Sequence, residues 1–198
     1  MKIYKDLIQG TDEWLELRLG KFTASKASAI ASNGKGLTTL VFEKADELST
    51  GKMKEVYQNE AMKWGIQHEP KARIAYEFET ENVVEQVGFI ELDKYTGGSP
   101  DGLIGENGGL ELKCPTIRVF YEFMKTRKIN PAYVWQIQMN MLVSDRKWWD
   151  YGVYHPAFKI PLIIQKIERD EAKIEKLRIG LEEGTNQLKK IMEEINAK

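Results

Sequence analysis

The glycine-rich segment "GGSPDGLIGENGGLELKCP", residues 97–115, constrains the fold of this chain more than any other stretch. Apolar and charged residues alternate in its second half, as they do in a β-strand with one buried face. Residues 106–108 supply turn-forming Asn and Gly between two such stretches. The segment therefore predicts a β-hairpin.

The second strand of this hairpin separates charged from apolar side chains. Side chains alternate along a strand, so Glu111 and Lys113 are expected on one face. The apolar residues of the same strand are expected on the other face: Leu110, Leu112 and Cys114. We expect this second face to pack in the core, with Cys114 as one of its apolar groups.

The register of the hairpin decides how close its two acidic residues come. A three-residue turn at residues 106–108 pairs Gly105 with Gly109. Asp101 then lies diagonal to Glu111, with their Cα atoms about 7–8 Å apart. Two carboxylates at that separation can reach one cation between them. A bulge at the turn would change this register.

This arrangement predicts phosphodiester hydrolysis. Oxygen ligands without a nearby Cys or His pair suit Mg²⁺ or Mn²⁺, so Asp101, Glu111 and the Leu112 backbone carbonyl are candidate ligands. Such an ion can hold a phosphate oxygen and stabilise the leaving oxygen. Lys113 can orient the attacking water, or help to deprotonate it if burial perturbs the lysine's charge. The commonplace alternative is a solvated ion pair on a strand beside a simple turn.

Composition limits the remaining choices. With 198 residues, 42% of them hydrophobic, the chain is expected to form one domain over residues 1–198. Its net charge of −1 offers no global field to attract nucleic acid, so DNA contacts must come from a local patch. The lone Cys114 excludes an internal disulfide and an iron–sulfur cluster. The chain has no export signal or membrane-spanning run, which predicts a cytoplasmic protein without membrane contacts.

The rest of the chain predicts an α/β (α+β) protein with a mixed β-sheet flanked by helices. The expected helices are one capped by Thr11 and ended by Gly20, one starting at Ser25, a short one at 40–49 between loops, two pieces or one kinked helix at 55–80, and others at 116–127, 131–144 and 170–196. The other expected strands lie at 83–92, 147–155 and 159–168. The last helix carries an apolar stripe interrupted by Gly184: Ile174, Leu177, Leu181, Leu188, Ile191 and Ile195.

The hairpin and three further blocks resemble one family, the lambda-exonuclease or YqaJ-type viral recombination nucleases of the PD-(D/E)XK superfamily. The similar blocks occur in the family's order: "QGTDEWLELRLGKFTAS", "MKWGIQHEPKARIAYE", "SPDG…GLELKCP" and "VWQIQMNMLVSDRKWWDYGVYHP". The resemblance implies a PD-(D/E)XK core of mixed sheet and flanking helices. It also implies Mg²⁺-dependent, 5′-to-3′ digestion of one strand of linear duplex DNA, with Mn²⁺ also accepted and two ions bound.

The resemblance assigns roles to particular residues. Asp101 and Glu111 match the family's metal-binding carboxylates, and Lys113 matches its catalytic lysine. Glu69 matches an upstream acidic residue that supports the site. The family also has an acid just before the hairpin, and the choice between Glu91 and Asp93 stays open. The residues that match the family's pocket for the 5′-terminal phosphate are Arg18, Ser25, Ser99 and Gln136.

The partners follow from the same resemblance: ends of double-stranded DNA, a homotrimeric ring around the DNA, and a single-strand-annealing protein. A bacterial host cytoplasm and a phage or prophage origin are implied as well. The alternatives are a PD-(D/E)XK endonuclease and a non-catalytic DNA-binding protein that keeps the fold. Other residues are interpreted as structural, namely Trp148, Trp149, Tyr151 and Tyr154 as packing groups and His68 and His155 as isolated residues that bind no metal.

Overall fold

The structure is a computed structural model that describes residues 1–53 and 59–197. Seven helices lie in this part of the chain: α1 Asp12–Arg18, α2 Ala27–Ser32, α3 Lys35–Thr50, α4 Glu60–Thr80, α5 Ile117–Thr126, α6 Pro131–Ser144 and α7 Glu171–Asn196. A 3₁₀ turn, Ala24–Lys26, precedes α2. No helix among these residues is both long and apolar enough to cross a membrane.

The described strands form two sheets flanked by helices. They are β1 Lys2–Tyr4, β2 Phe22–Thr23, β3 Val84–Glu85, β4 Phe89–Asp93, β5 Thr96–Gly98, β6 Gly102–Ile104, β7 Gly108–Lys113, β8 Trp148–Tyr154 and β9 Leu162–Glu168. The first sheet has the order β1-β4-β5-β2, and the second has the order β3-β6-β7-β8-β9. Each sheet has one parallel pair, β2 with β5 and β7 with β8. The mixed α/β class is confirmed, with its strands divided between two sheets.

The predicted hairpin forms between β6 and β7, but its predicted register was wrong. Strand β6 pairs Ile104 with Gly108, so residues 105–107 make the turn. The shift from the expected Gly105–Gly109 pair is two residues, which is why every side chain keeps its predicted face. Gly105 has φ +50° at the first turn position, a left-handed conformation that glycine adopts without strain. Arg146 fixes this turn by donating to the backbone carbonyls of Ile104, Gly105 and Gly108.

The apolar face of β7 packs as expected. Leu110, Leu112 and Cys114 are buried against Ala72 and Tyr76 of α4. Strand β8, predicted to contribute packing groups, buries Trp149, Tyr151 and Tyr154 and half-buries Trp148. The β6–β7 hairpin is therefore anchored by α4 on one face and by β8 along its edge.

Helix α7 lies on α2 and α3 through most of its predicted stripe. Ile174, Leu177, Leu181 and Leu188 are buried, whereas Ile195 is 47% exposed and lies outside the core. Gly184 continues the stripe, because a Cβ built there would lie 3.0 Å from Leu37 and 3.1 Å from Phe22. The glycine that interrupts the apolar pattern in the sequence therefore lies in the helix contact, close to the Leu37 and Phe22 side chains.

Two helices differ from the prediction. Helix α3 runs over 16 residues and includes positions expected to be loop. Helix α4 begins after the cap Asn59 and continues unbroken through Pro70. Residues 55–58, predicted as the start of this helical region, lie outside the described residues. The sequence analysis did not resolve β1, β2 and β5, since strands of two or three residues carry too little periodicity to recognise.

Candidate active site

The hairpin and α4 bring four predicted residues to one place. Lys113 forms an ion pair with the fully buried Glu111 from the same face of β7. Asp101, just before β6, accepts a 2.6 Å hydrogen bond from the Leu112 N–H through Oδ2. Glu69 of α4 shares a cleft with Asp101 and a second cleft with Lys113. The predicted catalytic group is therefore assembled by two elements that are far apart in sequence.

Helix α6 holds both oxygens of the Glu111 carboxylate. Gln136 Nε2 donates to Glu111 Oε1 at 2.7 Å, and Asn140 Nδ2 lies 3.4 Å from Glu111 Oε2. Gln136 was predicted to bind a phosphate, and in the structure its amide contacts this carboxylate. Asn140 was missed, although its spacing of four residues from Gln136 places both on one face of α6. The pair fixes the orientation of Glu111.

The carboxylates of the site resist ionisation without a cation. Burial raises the pKa of Glu111 to about 7, and burial also raises the pKa of Asp101. The pKa of Glu69 rises to about 7 because the group is buried and lies near the charge of Asp101. Burial acts to lower the pKa of Lys113, but the charges of Glu111 and Asp101 outweigh it, so the lysine stays protonated.

These donors fit a Mg²⁺ ion that keeps part of its water shell. Within residues 1–53 and 59–197, no three His, Cys, Asp or Glu side chains converge into a complete metal cluster. Asp101 and Glu111 supply two carboxylates, and the Leu112 carbonyl is a further hard oxygen. Mg²⁺ is commonly held through one or two carboxylates plus waters, and a divalent charge would relieve the repulsion between these acids.

Arg18 and Ser99 meet beside this site. Arg18 Nη1 donates to Ser99 Oγ at 3.1 Å, and Trp14 Nε1 donates to the same oxygen at 2.9 Å. The Arg18 guanidinium lies 4.0 Å from the centre of the Trp14 ring. Burial lowers the pKa of Arg18 to about 10, so the group remains charged at neutral pH. Its Nε is buried without a hydrogen-bond partner in the described part of the chain.

Ser25 lies at the same edge of the sheet as Ser99. Thr23 pairs with Gly97 in the parallel β2–β5 ladder, and the two serines each follow this pair by two residues. The Ser25 side chain is exposed, and its Oγ lies 3.4 Å from Thr23 Oγ1. Of the four predicted phosphate-binding residues, the structure brings Arg18 and Ser99 into contact, while Gln136 contacts the Glu111 carboxylate. Trp14 is an additional member that the sequence analysis missed.

Neither candidate for the acid before the hairpin, Glu91 or Asp93, contacts the other acids of the site. Glu91 accepts hydrogen bonds from Lys21 Nζ at 2.7 Å and from the Tyr4 hydroxyl at 3.0 Å. Asp93 Oδ1 accepts from the Tyr95 N–H at 2.8 Å. The structure gives both acids local roles in and after β4, where Glu91 ties three segments of the first sheet together.

The ion pair of Glu91 makes a pH-dependent contribution to stability. The hydrogen bond from Lys21 lowers the pKa of Glu91, so its stabilisation is present above the unfolded pKa of about 4.3 and is lost as pH falls through the lower folded pKa. We expect Glu91→Gln to lower the free energy of unfolding by about 1 kcal/mol at pH 7 and by less at pH 3.5, measured by urea denaturation. Glu85→Gln, in an exposed pair with Lys5, is the control with little effect. A Glu91→Gln deficit that stays constant with pH would refute this account.

A cleft of about 660 Å³ adjoins the site. Its walls come from the N-terminal segment, α4 and the segment before β4, and they include Trp14, Glu69, Arg73 and Asp101. Gln9 holds the N-terminal segment in place by donating to the backbone carbonyls of Val87 and Pro100. The cleft therefore places Trp14, which contacts Ser99, together with the acidic residues Glu69 and Asp101.

The paired acids and the lysine on this mixed α/β fold have the arrangement that the sequence analysis predicted for a nuclease. The chain belongs to the YqaJ-like viral recombinase domain family, whose match covers residues 13–147. The predicted family is thereby confirmed.

Solved structures agree with this assignment. An alkaline exonuclease from Laribacter hongkongensis, LHK-Exo, is 32% identical, with a TM-score of 0.88 over 94% of this chain and 97% of that chain. A structure of LHK-Exo in complex with dAMP has the same identity and coverages and a TM-score of 0.87. A phage-related exonuclease from Haemophilus somnus 129PT shares the fold at 15% identity, with a TM-score of 0.71 over 88% of this chain and 96% of that chain. Curated protein sequences give no match.

Proposed function

We propose that this protein is a Mg²⁺-dependent exonuclease that digests one strand of linear duplex DNA from 5′ to 3′. It releases mononucleotides and leaves a 3′ single-stranded overhang for annealing-type recombination. The observation that carries the proposal is the cationic pocket at Arg18 and Ser99, placed beside Asp101. A terminal phosphate in this pocket would set the next phosphodiester near the acidic residues. The dAMP complex of the related LHK-Exo supports a nucleotide ligand.

The charge of the Arg18 pocket suits a terminal phosphate. A guanidinium can donate two parallel hydrogen bonds to a phosphate, and Arg18 Nε is a buried donor with no partner among the described residues. Ser99 adds a hydroxyl group, Ser25 would supply a second, and Trp14 restrains both Arg18 and Ser99. An internal phosphodiester carries only one negative charge and has no free end, so this pocket favours a 5′-phosphorylated terminus.

The reaction itself would be carried out at the hairpin. Asp101, Glu111 and the Leu112 carbonyl would hold Mg²⁺, which supplies a Lewis acid for the phosphate and its leaving oxygen. Lys113 lies beside them as an ammonium and would orient the attacking water and stabilise negative charge on the phosphate. The pairing of Lys113 with Glu111 favours this role over removal of the water proton. Gln136 and Asn140 would keep the Glu111 carboxylate in position.

Hydrolysis of duplexes that differ in their ends tests this proposal directly. We expect hydrolysis of linear 5′-phosphorylated duplex in Mg²⁺, slower hydrolysis of the 5′-hydroxyl duplex, and none of closed circular duplex or in EDTA. Arg18→Lys should reduce the preference for 5′-phosphate by about tenfold, because lysine lacks the bidentate fork. The measurement is the initial rate of nucleotide release from each substrate. Cutting of the circle at the linear rate would indicate an endonuclease instead.

We also propose that the protein acts as a homotrimeric ring with an annealing protein as its partner. The family resemblance supports both, and a ring is compatible with the net charge of −1 because only its inner wall needs to be basic. Light scattering during gel filtration tests the assembly. A stable monomer at micromolar concentration would refute the ring.

A further inference from the structure

Helix α5 and the loop after it carry a concentration of positive charge near the active site. Residues 118–128 carry four cations and one acid: Arg118, Lys125, Arg127, Lys128 and Glu122. The segment therefore has a formal charge of +3 in a chain whose net charge is −1. All five of these side chains are exposed. We call residues 118–128 the basic segment.

Two clefts connect the basic segment to the catalytic lysine. Each has a volume of about 510 Å³, and Lys113, Val119 and Tyr133 line both. The first cleft runs between α4 and α5 and includes Glu69. The second is lined by Lys113 together with Glu122, Thr126 and Lys128 of the basic segment. Because the two clefts share residues, we treat them together as a trough whose lining includes Glu69 and Lys128.

Of the four cations in the basic segment, Lys128 lines the second cleft and Arg127 is its neighbour in the chain. Arg118 pairs with Glu122 at 3.2 Å, and the Lys125 ammonium lies 4.7 Å from the centre of the Tyr121 ring. Arg127 and Lys128, in contrast, have no carboxylate within 4.0 Å among the residues that the structure describes. Two exposed, unpaired cations beside each other favour a ligand that carries repeated negative charge.

The geometry points to the second cleft and the basic segment as a binding surface for the DNA backbone on the uncut side of the reacting phosphate. We propose that phosphates of the strand being digested contact Arg127 and Lys128, while the strand passes Tyr133 on its way to Lys113. This inference rests on the proposed nuclease function. If the protein cleaves DNA at Lys113, the ligand in the adjoining trough is a polyanionic DNA strand. Contacts of this kind position the substrate without reading its sequence.

The salt dependence of DNA binding tests this surface. The proposed experiment measures binding of a fluorescent 5′-phosphorylated duplex by anisotropy in EDTA, so that no metal-dependent cleavage occurs. Each phosphate contact contributes about 0.9 to the slope of log affinity against log salt. Loss of two contacts in the double variant Arg127→Gln, Lys128→Gln should lower the slope by about 1.8. Between 50 and 200 mM salt, wild type should then lose roughly tenfold more affinity than this variant.

A matched control separates local contacts from net charge. Lys176 and Lys190 are exposed on α7, and neither forms an ion pair within the described ranges. The double variant Lys176→Gln, Lys190→Gln removes the same two charges and should keep the wild-type slope. The proposed surface would be refuted if the slope were unchanged in Arg127→Gln, Lys128→Gln, or if the control variant lost the same amount of slope. It would also be refuted if wild type did not bind the duplex at 20 mM salt.

The outcome is distinguishable from failure of the proposed function. The anisotropy experiment needs no catalysis, whereas the exonuclease proposal is tested by nucleotide release in Mg²⁺. If wild type binds duplex with the expected salt dependence but hydrolyses none, the exonuclease proposal fails while the basic segment remains a DNA-binding surface.

Discussion

Replacing Lys113 with methionine should reduce the rate of duplex hydrolysis by about 10²–10³-fold, the usual cost of removing one preorganised charge from a reaction centre. Methionine keeps much of the side-chain volume and removes the ammonium, so the effect reports on the charge. The ammonium lies between the buried Glu111 and the cleft shared with Glu69, where negative charge on a phosphate would develop. Single-turnover nucleotide release from 5′-phosphorylated duplex in Mg²⁺ is the measurement.

A loss of rate has meaning only if the variant is folded. Removing Lys113 leaves Glu111 buried without its cation, and breaking a buried pair is destabilising. Circular dichroism and urea denaturation should therefore accompany the rate. Lys166→Met is the control, because Lys166 lies on β9 over the Trp148 ring and away from the hairpin's charged residues. A folded Lys113→Met enzyme with a rate within about threefold of wild type would refute the catalytic role.

The catalytic hairpin could be predicted from sequence because its signals are local. Alternation along β7 assigned Glu111 and Lys113 to one face, and the structure confirms this assignment. The exact register could not be predicted, because it depends on Gly105 in the left-handed region and on Arg146, which lies 38–42 residues away from the carbonyls it binds. Long-range hydrogen bonds of this kind leave no local pattern.

The difference between local sequence signals and long-range contacts also explains why two residues of the site were not predicted. Asn140 and Trp14 act through contacts made only after folding, with Glu111 and Ser99 respectively. Their residue types and helical positions fit ordinary packing equally well. Glu91 shows the reverse case, since its position before the hairpin fits a catalytic acid while its actual partner is Lys21. Chemistry that depends on pairs of distant side chains becomes visible only in the structure.

Helices α7 and α2 pack closely at Gly180. Gly180→Ala should therefore strongly destabilise the protein, although it adds only one methyl group. A Cβ at this position would lie 2.0 Å from the Ile30 carbonyl oxygen and 2.7 Å from its carbon. Both are backbone atoms of α2, so a side-chain rotation cannot relieve the contact. We expect a loss of about 3 kcal/mol in the free energy of unfolding, at the upper end for overpacking.

Gly65→Ala provides the matched control, because it makes the same chemical change in another helix. A Cβ at Gly65 of α4 would meet no atom within 4 Å. Alanine should there stabilise the protein by about 0.5–1 kcal/mol, since it reduces the freedom of the unfolded chain and favours helix. Urea denaturation of both variants measures the difference. If Gly180→Ala also raised the free energy of unfolding, the prediction would be refuted. That result would mean that α7 can move away from α2 without loss of stability.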